Sequence, residues 1–317
     1  MREDNVKIHN YTPELIENYC RFLNIARSDR PDREEIRVED LRSYFAPPHY
    51  DSKGHFLALM AEEIVADILG TRNLGYAVLP PDRINLTLNV LPQYRKKGIG
   101  GRLVDIAMNY FGPRGAKIAV VDDIHAKCSG SISFYKKKGF RESTRSYWME
   151  CKLVDNNKLP YSLLIPNGYK IRSLDSREEL EPFMNAINEA FSDTPDFVPL
   201  SKERFEERYV NTPFFNLEGF VVAVEEGTSN IIGTSANLID IDRTRGDTFG
   251  HIKGVGVKKA HRERGLGKLL MIQSLNWLSS RKIGFARLGT QSPKAIKMYR
   301  SLGFEIVHEY IRFEKAL

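Results

Sequence analysis

The chain has 317 residues, of which 42% are hydrophobic and 28% charged, so it is long enough for about two domains and is not a disordered protein. Its 47 basic and 41 acidic residues give a net charge of +6, which favours acidic partners, but the basic residues form no long tract of the kind that binds nucleic acid. No apolar run approaches the roughly 20 residues of a membrane span, and residues 1–5 are charged rather than apolar, so we expect a cytoplasmic protein with no membrane partner.

The first half of the chain alternates strand and helix patterns. Thr12 and Pro13 are the N-cap and first residue of one predicted helix, and Gly139 ends a later one in the left-handed conformation. Strands are predicted over residues 6–9, 56–61, 75–79, 84–90, 117–121 and 146–153. Helices are predicted over residues 12–26, 98–111 and 131–138.

A turn-rich segment separates this half from a second one. It contains Asn-Asn, two prolines and a final Asn-Gly, which are turn and linker residues. Beyond it, helices are predicted over residues 177–191, 202–209, 265–281 and 293–301. Strands are predicted over residues 169–172, 219–225, 231–239, 247–257, 285–288 and 310–314. We therefore expect an N-terminal domain over residues 1–153, a linker over 154–167 and a C-terminal domain over 168–317.

Two short motifs occur once in each half, in the same order. Arg-x-x-Gly-x-Gly begins at Arg95 and again at Arg262, 167 residues later. Tyr-x-x-x-Gly-Phe begins at Tyr135 and again at Tyr299, 164 residues later. Because the spacing changes by only three residues between the motifs, we interpret the chain as a tandem repeat.

The glycine motif lies where a predicted strand leads into a predicted helix. Backbone N–H groups and the positive end of the helix dipole meet there, and glycine lets the backbone approach a phosphate closely, so the loop suits a diphosphate. Neighbouring arginines and lysines add charge-assisted contacts. The patterns of a P-loop and of a dinucleotide-binding loop are absent from both loops. The alternative is that the glycine motif forms only a structural turn before a helix and binds no phosphate.

With the strand before them and the tyrosine motif after them, these loops resemble the acetyl-CoA loop of the GCN5-related N-acetyltransferases (GNAT). The resemblance covers both halves. The arrangement of two domains in tandem is similar to that of mycothiol synthase, but the resemblance does not extend to the substrate. It implies an α/β fold of two GNAT-like domains, each with a mixed, mostly antiparallel sheet flanked by helices. It also implies acetyl transfer from acetyl-CoA to a primary amine of a small molecule or peptide.

The resemblance also implies roles for individual residues. The loops would hold the CoA pyrophosphate, the strand ends before them would pair with the pantetheine arm, and Tyr299 and Tyr135 would protonate the departing thiolate. The residues implied in cofactor binding in the first half are Leu88, Asn89, Val90, Arg95, Lys96, Lys97, Gly98, Ile99 and Gly100. Those in the second half are Val255, Gly256, Val257, Arg262, Glu263, Arg264, Gly265, Leu266, Gly267, Lys268 and Ser292.

One feature departs from the family. Many members have Asn seven residues before the tyrosine, where this chain has Cys128 and Ser292, so a weaker contact to the cofactor arm is expected in both halves. The chain has three cysteines, Cys20, Cys128 and Cys151, an odd number with wide spacing. With seven histidines in no ligand pattern, neither a disulfide framework nor a metal site is expected.

The two halves differ at the position of a general base. Some family members carry Glu four residues before the pantetheine-pairing segment, and the same count reaches His251 in the second half and Ile84 in the first. His251 is spaced by twos from Lys253, Val255 and Val257, so all four are predicted on one face of the strand. We therefore expect chemistry in the C-terminal domain. Rival bases are Asp240, Asp242 and Asp247.

Two other functions remain open, and so does the acceptor. Without a base in the first half, the chain can also be interpreted as a non-catalytic CoA-binding or sensing module. A nucleic-acid binder is a weaker alternative and is not expected. By the resemblance, the acceptor enters near residues 191–215 and 305–310, where Asp193 and Asp196 are candidates to attract a cationic amine or are simply solvated.

Overall fold

The computed structural model describes residues 6–46, 50–72, 74, 78–153, 164–212, 215–242 and 245–317. Within them the strands are β1 Lys7–Asn10, β2 His55–Met60, β3 Glu63–Thr71, β4 Arg83–Val90, β5 Ile118–His125, β6 Arg141–Lys152, β7 Tyr169–Ser173, β8 Phe220–Glu225, β9 Ile231–Ile241, β10 Thr248–Val257, β11 Phe285–Thr290 and β12 Glu305–Ala316. The helices are α1 Ile16–Ala26, α2 Val38–Tyr44, α3 Ile99–Phe111, α4 Ser129–Lys137, α5 Leu180–Phe191, α6 Lys202–Phe205, α7 Leu266–Ser280 and α8 Pro293–Arg300.

The chain divides into two compact units. The first contains residues Met1–Ser146 and His308–Leu317, and the second contains Tyr147–Val307. Each has a mixed sheet flanked by helices, which confirms the predicted fold class.

The sheet of the first unit runs in the order β1-β2-β3-β4-β5-β12. Only the β4–β5 pair is parallel among these pairs, and the rest are antiparallel. On one face lies α3, whose residues Leu103, Val104 and Ala107 are fully buried. The other face is covered by α1, whose apolar side chains recur at helical spacing and are buried: Tyr19, Phe22, Leu23 and Ala26.

The sheet of the second unit runs in the order β6-β11-β10-β9-β8-β7. Here β10 and β11 are the parallel pair, and the other pairs are antiparallel. Helix α7 buries Leu270, Met271, Leu275 and Leu278 against this sheet. Each fully buried leucine contributes about 1.5–3 kcal/mol to stability relative to an exposed one, so this helix is a main source of the unit's stability.

The units do not follow the predicted division of the chain. The final segment of β12, Tyr310 to Ala316, pairs with β5 in the first unit, although its sequence lies in the predicted C-terminal domain. Conversely, Tyr147 to Lys152 of β6 pair with β11 in the second unit. Each unit therefore completes its sheet with a strand segment from the other half of the chain. Residues 154–163 of the predicted linker lie outside the described residues.

Most predicted elements are present, with shifted ends. Strand β3 and helix α2 were not predicted. Of the predicted strand over residues 75–79, residue 78 forms an isolated β-bridge, residue 79 is not in a strand, and residues 75–77 lie outside the described part. The predicted helix 202–209 is α6 continued by a π-helical turn, Glu206–Val210. Among the described residues, no helix is long and apolar enough to span a bilayer.

Candidate active site

In each unit the two parallel strands pair only briefly and then separate. Strand β10 pairs with β11 at Gly250 and His251 and, within the described residues, at no later position. In the part of the chain that the structure describes, strand β4 pairs with β5 from Arg83 to Asn85 and no further. Beyond these points, one edge of β4 and of β10 keeps N–H and C=O groups that another extended chain can pair with. The predicted pantetheine-pairing segments, residues 88–90 and 255–257, lie on these edges.

The glycine loops lead from these strands into the long helices. Gly98 and Gly265 are the N-cap residues of α3 and α7, with φ of +80° and +79°, and no side chain caps either helix. The first N–H groups of an α-helix have no partner in a preceding turn, although the Lys268 N–H of α7 donates to the Gly265 carbonyl (3.0 Å). A Cβ at Gly265 would meet nothing within 4 Å, so an anion has open access to these amides. The geometry fits the pyrophosphate of CoA at both loops.

The motif arginine of the second loop makes its contacts inside the protein. The Arg262 guanidinium donates from Nε to the Val257 carbonyl (3.0 Å) and from Nη2 to the Ala190 carbonyl (2.8 Å). It also forms a two-point ion pair with Asp193, at 2.6 and 2.9 Å, which lowers the pKa of that carboxyl group. Arg262 therefore fixes the loop to the end of α5 through these contacts.

The first loop repeats this arrangement. Arg95 donates to the carbonyls of Val90 (3.1 Å) and Ala26 (2.8 Å), and it is ion-paired with Asp29. Both arginines therefore hold their loops to the end of a helix, and a side-chain contact from them to a phosphate stays a prediction. It also follows that Asp193, expected as a candidate to attract an amine, is already paired.

The other charged residues of the loops have varied partners. Glu263, with φ of +67°, is ion-paired with Lys294 (2.8 Å). Arg264 donates to the Tyr169 hydroxyl (2.6 Å). In the first loop, Lys96 occupies the position equivalent to Glu263, with φ of +61°, and the Lys97 ammonium lies 5.1 Å from the Tyr94 ring centroid.

The two motif tyrosines are buried on short helices. Tyr299 of α8 and Tyr135 of α4 are 6% and 3% exposed. Burial raises the pKa of Tyr299 to about 12, and burial together with the charge of Asp67 raises the pKa of Tyr135. Neither hydroxyl has a hydrogen-bond partner in the described part of the chain. Both phenols stay protonated at neutral pH, as proton donors must.

The residues in place of the family's asparagine are the N-caps of these helices. The Ser292 hydroxyl accepts the N–H of Ala295 (3.2 Å), so it serves α8 rather than standing free. Cys128 makes no side-chain cap, and burial raises the pKa of its thiol.

His251 lies where β10 and β11 begin to separate. Its ring centroid is 5.3 Å from that of Trp148 and 5.9 Å from that of Phe249. Burial, followed by the charges of Lys253, Arg208 and Arg287, lowers the pKa of His251 well below its usual value. The imidazole is therefore neutral at neutral pH and can accept a proton.

The residue of the first unit that occupies the position equivalent to His251 is Asn85. The prediction that Ile84 occupies it is wrong. Strand β10 carries a bulge in which Lys253 and Gly256 pair with Ala236 and Thr234, one extra residue on β10. The β3–β4 register is continuous, so a fixed count along the sequence slips by one residue. In the parallel pairs, His251 is opposite Arg287 and Asn85 is opposite Val120. Asn85 is an amide and cannot serve as a base.

Because of the bulge, the four residues predicted on one face of this strand do not all lie on it. Ile252 and Val255 pack in one cluster with α7, on the two sides of the bulge. Lys253 therefore shares the opposite face with His251, while Val255 does not, because the extra residue inverts the alternation. Gly254 in the bulge has φ of +60° and lies against Ile187 of α5.

The rival bases are less suitable. Asp242 is buried and accepts a hydrogen bond from Arg287 (2.8 Å), which also binds Glu150. Asp240 is exposed and accepts its neighbour's N–H, and Asp247 is exposed. The sequence did not single out Arg287 or Arg208, which the fold brings toward His251 from other elements. A sequence signal existed only for Lys253, through its spacing.

Comparison with known proteins agrees with this geometry. Residues 180–304 match the model of the acetyltransferase (GNAT) family, and residues 52–142 match that of the acetyltransferase (GNAT) domain. The chain is 26% identical to the mycothiol acetyltransferase of Thermobifida fusca over 72% of this chain and 73% of that one. It is 30% identical to the mycothiol acetyltransferase of Mycolicibacterium gilvum over 78% and 80%. A tandem GNAT protein from the clavulanic acid biosynthesis pathway superposes with a TM-score of 0.70 at 16% identity, covering 98% of both chains.

Proposed function

The chain belongs to the GNAT acetyltransferase family, an enzyme family whose co-substrate is acetyl-CoA, and we propose that its second unit transfers the acetyl group to a primary amine of a small molecule or peptide. One observation carries the assignment to this unit. A neutral, desolvated imidazole, that of His251, lies where β10 leaves β11, while the matching position of the first unit is an amide.

The reaction needs one proton removed and one supplied. The amine nitrogen forms a bond to the acetyl carbonyl carbon, and the carbon–sulfur bond of the thioester breaks. His251 accepts the proton that the amine loses, and Tyr299 gives its hydroxyl proton to the departing sulfur. Because the pKa of Tyr299 is about 12, the phenol regains its proton readily at neutral pH.

The chain's other contribution is binding and orientation. The free edge of β10 at residues 255–257 would pair with the pantetheine arm, and the first-turn amides of α7 would hold the pyrophosphate. Arg262 supports the loop from behind through Ala190 and Asp193. The groups that meet CoA in this proposal are therefore largely backbone groups.

We propose that the first unit binds CoA without turnover or shapes the acceptor site. It has an equivalent loop, an equivalent arginine clamp and a buried tyrosine, Tyr135, but no base at Asn85.

Release of CoA thiol from acetyl-CoA with a panel of primary amines tests the proposal. Wild-type protein is expected to turn over, His251→Gln to lose most activity, and Asn85→Ala to keep it. Unchanged activity in His251→Gln, or its loss in Asn85→Ala with the protein still folded, contradicts the assignment to the second unit.

A further inference from the structure

We infer that the acceptor amine carries an anionic group, a carboxylate or a phosphate, which the ammonium of Lys253 binds beside the base. This inference rests on the proposed function, because it takes His251 as the point where the amine is deprotonated. It adds a substrate class that the family assignment leaves open.

The position of Lys253 is the first step. It lies two residues after His251 on β10 and on the same face, so the two Cα atoms are about 7 Å apart. It is also beyond the last β10–β11 pair, on the edge that is free within the described residues. An acceptor whose nitrogen reaches His251 therefore comes within reach of the Lys253 side chain.

The surroundings of Lys253 are the second step. Its side chain is half-buried, and no hydrogen bond or ion pair joins its ammonium group to another described residue. Burial and the nearby charge of Arg208 lower the pKa of Lys253 to about 8, and the charge of Asp240 opposes this. A desolvated ammonium beside a second cation is an unfavourable arrangement that a bound anion relieves.

The neighbouring charges are the third step. The Arg287 guanidinium is also near His251, but its charge is balanced by Glu150 and Asp242 (2.9 and 2.8 Å). Arg208 is on the π-helical turn, whose neighbour Tyr209 has its hydroxyl 3.4 Å from a Cβ built on Gly254. Among the described residues of this face, Lys253 is therefore the cation whose ammonium group an anion can reach.

The first unit supplies an internal comparison. The residue paired like Lys253 is Thr87, because Thr87 is opposite Leu69 as Lys253 is opposite Ala236. The residue paired like Arg287 is Val120. The cations Lys253 and Arg287 thus occur in the unit that contains His251 and not at the equivalent positions of the first unit.

Matched amine pairs test the inference. The carboxylate arm compares L-phenylalanine with phenethylamine, and the phosphate arm compares glucosamine 6-phosphate with glucosamine. Each pair is measured by kcat/KM for CoA thiol release and by calorimetric binding in the presence of CoA. We expect at least one arm to favour the anionic member by about tenfold or more, and the arm that does so identifies the anion.

Variants connect the preference to the side chain. Lys253→Met is expected to abolish the preference, that is, to bring the ratio of the two kcat/KM values in each pair close to one, and Lys253→Arg to restore it. Lys170→Met, at an exposed residue of β7, is the matched control and should leave the preference unchanged. CoA affinity measured alone should be the same in Lys253→Met.

The outcomes separate this inference from the proposed function. Equal or unmeasurable binding of both members in both arms overturns the inference, and so does a preference that survives in Lys253→Met. Thiol release with uncharged amines alone would leave the proposed function standing and this inference wrong. Binding of the anionic member without thiol release, lost in Lys253→Met, would support the inference and contradict the proposed function.

Discussion

His251 and Arg287 are directly opposite each other in the parallel pairing of β10 and β11, and theirs is the last residue pair described before the strands separate. A neutral imidazole and a guanidinium, itself paired with Glu150 and Asp242, therefore lie together at the opening where an acetyl donor and an amine would meet. The predictions below follow from this placement.

His251→Gln is expected to lower kcat by roughly 10²- to 10⁴-fold, because a positioned base contributes about that much. Affinity for CoA should change little, since the loop is untouched. Steady-state kinetics with a saturating amine measures this. His9→Gln, at an exposed residue of β1, is the control and should keep activity. A kcat for His251→Gln within twofold of wild type would remove His251 as the base.

Tyr299→Phe is expected to lower kcat by roughly 10²-fold, while Tyr135→Phe leaves it nearly unchanged. Stability should be similar in both variants, because neither hydroxyl has a hydrogen-bond partner among the described residues. Turnover and thermal unfolding are measured in parallel. Loss of activity in Tyr135→Phe alone would place the chemistry in the first unit.

Asp193→Asn is expected to weaken CoA binding on the order of tenfold, although it removes a negative charge near an anion site. The reason is that Asp193 holds the Arg262 guanidinium, which in turn holds the glycine loop. Arg262→Lys should have a similar effect, and the double variant should be little worse than either single one. Calorimetric titration with CoA measures the four affinities. Tighter binding in Asp193→Asn would instead mean that Arg262 contacts the phosphate directly.

Gly254→Ala is expected to lower the free energy of unfolding by about 1–3 kcal/mol, because φ of +60° strains a residue with a Cβ. That Cβ would also lie 3.1 Å from the Ile187 side chain. Because the bulge sets the face of Lys253, kcat/KM for the acceptor should fall as well. Denaturant unfolding measures the stability. Gly284→Ala, where an added Cβ has open space, is the control, and equal effects at the two glycines would contradict the strain argument.

The pH dependence should show two groups of lowered pKa. The acid limb of kcat/KM due to His251 should lie below pH 6.5, measured with an amine that stays unprotonated over the range. In Lys253→Met this limb should move to higher pH, because the charge of Lys253 is the largest of the charge effects that lower the pKa of His251. Lys253 is protonated below about pH 8 and neutral above it, so any preference for anionic acceptors should decline above pH 8. A preference constant to pH 10 would exclude Lys253 as the anion's partner.

The amino-acid sequence by itself determined the family and most of the local structure. The spacing of Arg262, Gly265 and Gly267 after a strand was enough to predict a glycine loop that begins a helix, since glycine conformations and helix N-terminal amides act within a few residues. The spacing of apolar residues was likewise enough to predict the long helices. The repeated motifs sufficed for two units, because the same local requirements recur in each.

Tertiary structure alone decided the rest. Which sheet the final strand joins depends on edges formed far away in the chain, so residues 310–316 complete the first unit against the predicted boundary. The extra residue at Gly254 slips the register, so the counterpart of His251 is Asn85 and not Ile84. The partners of Arg262 and the charges near Lys253 also come from distant elements, because side-chain charges interact through space and not along the chain.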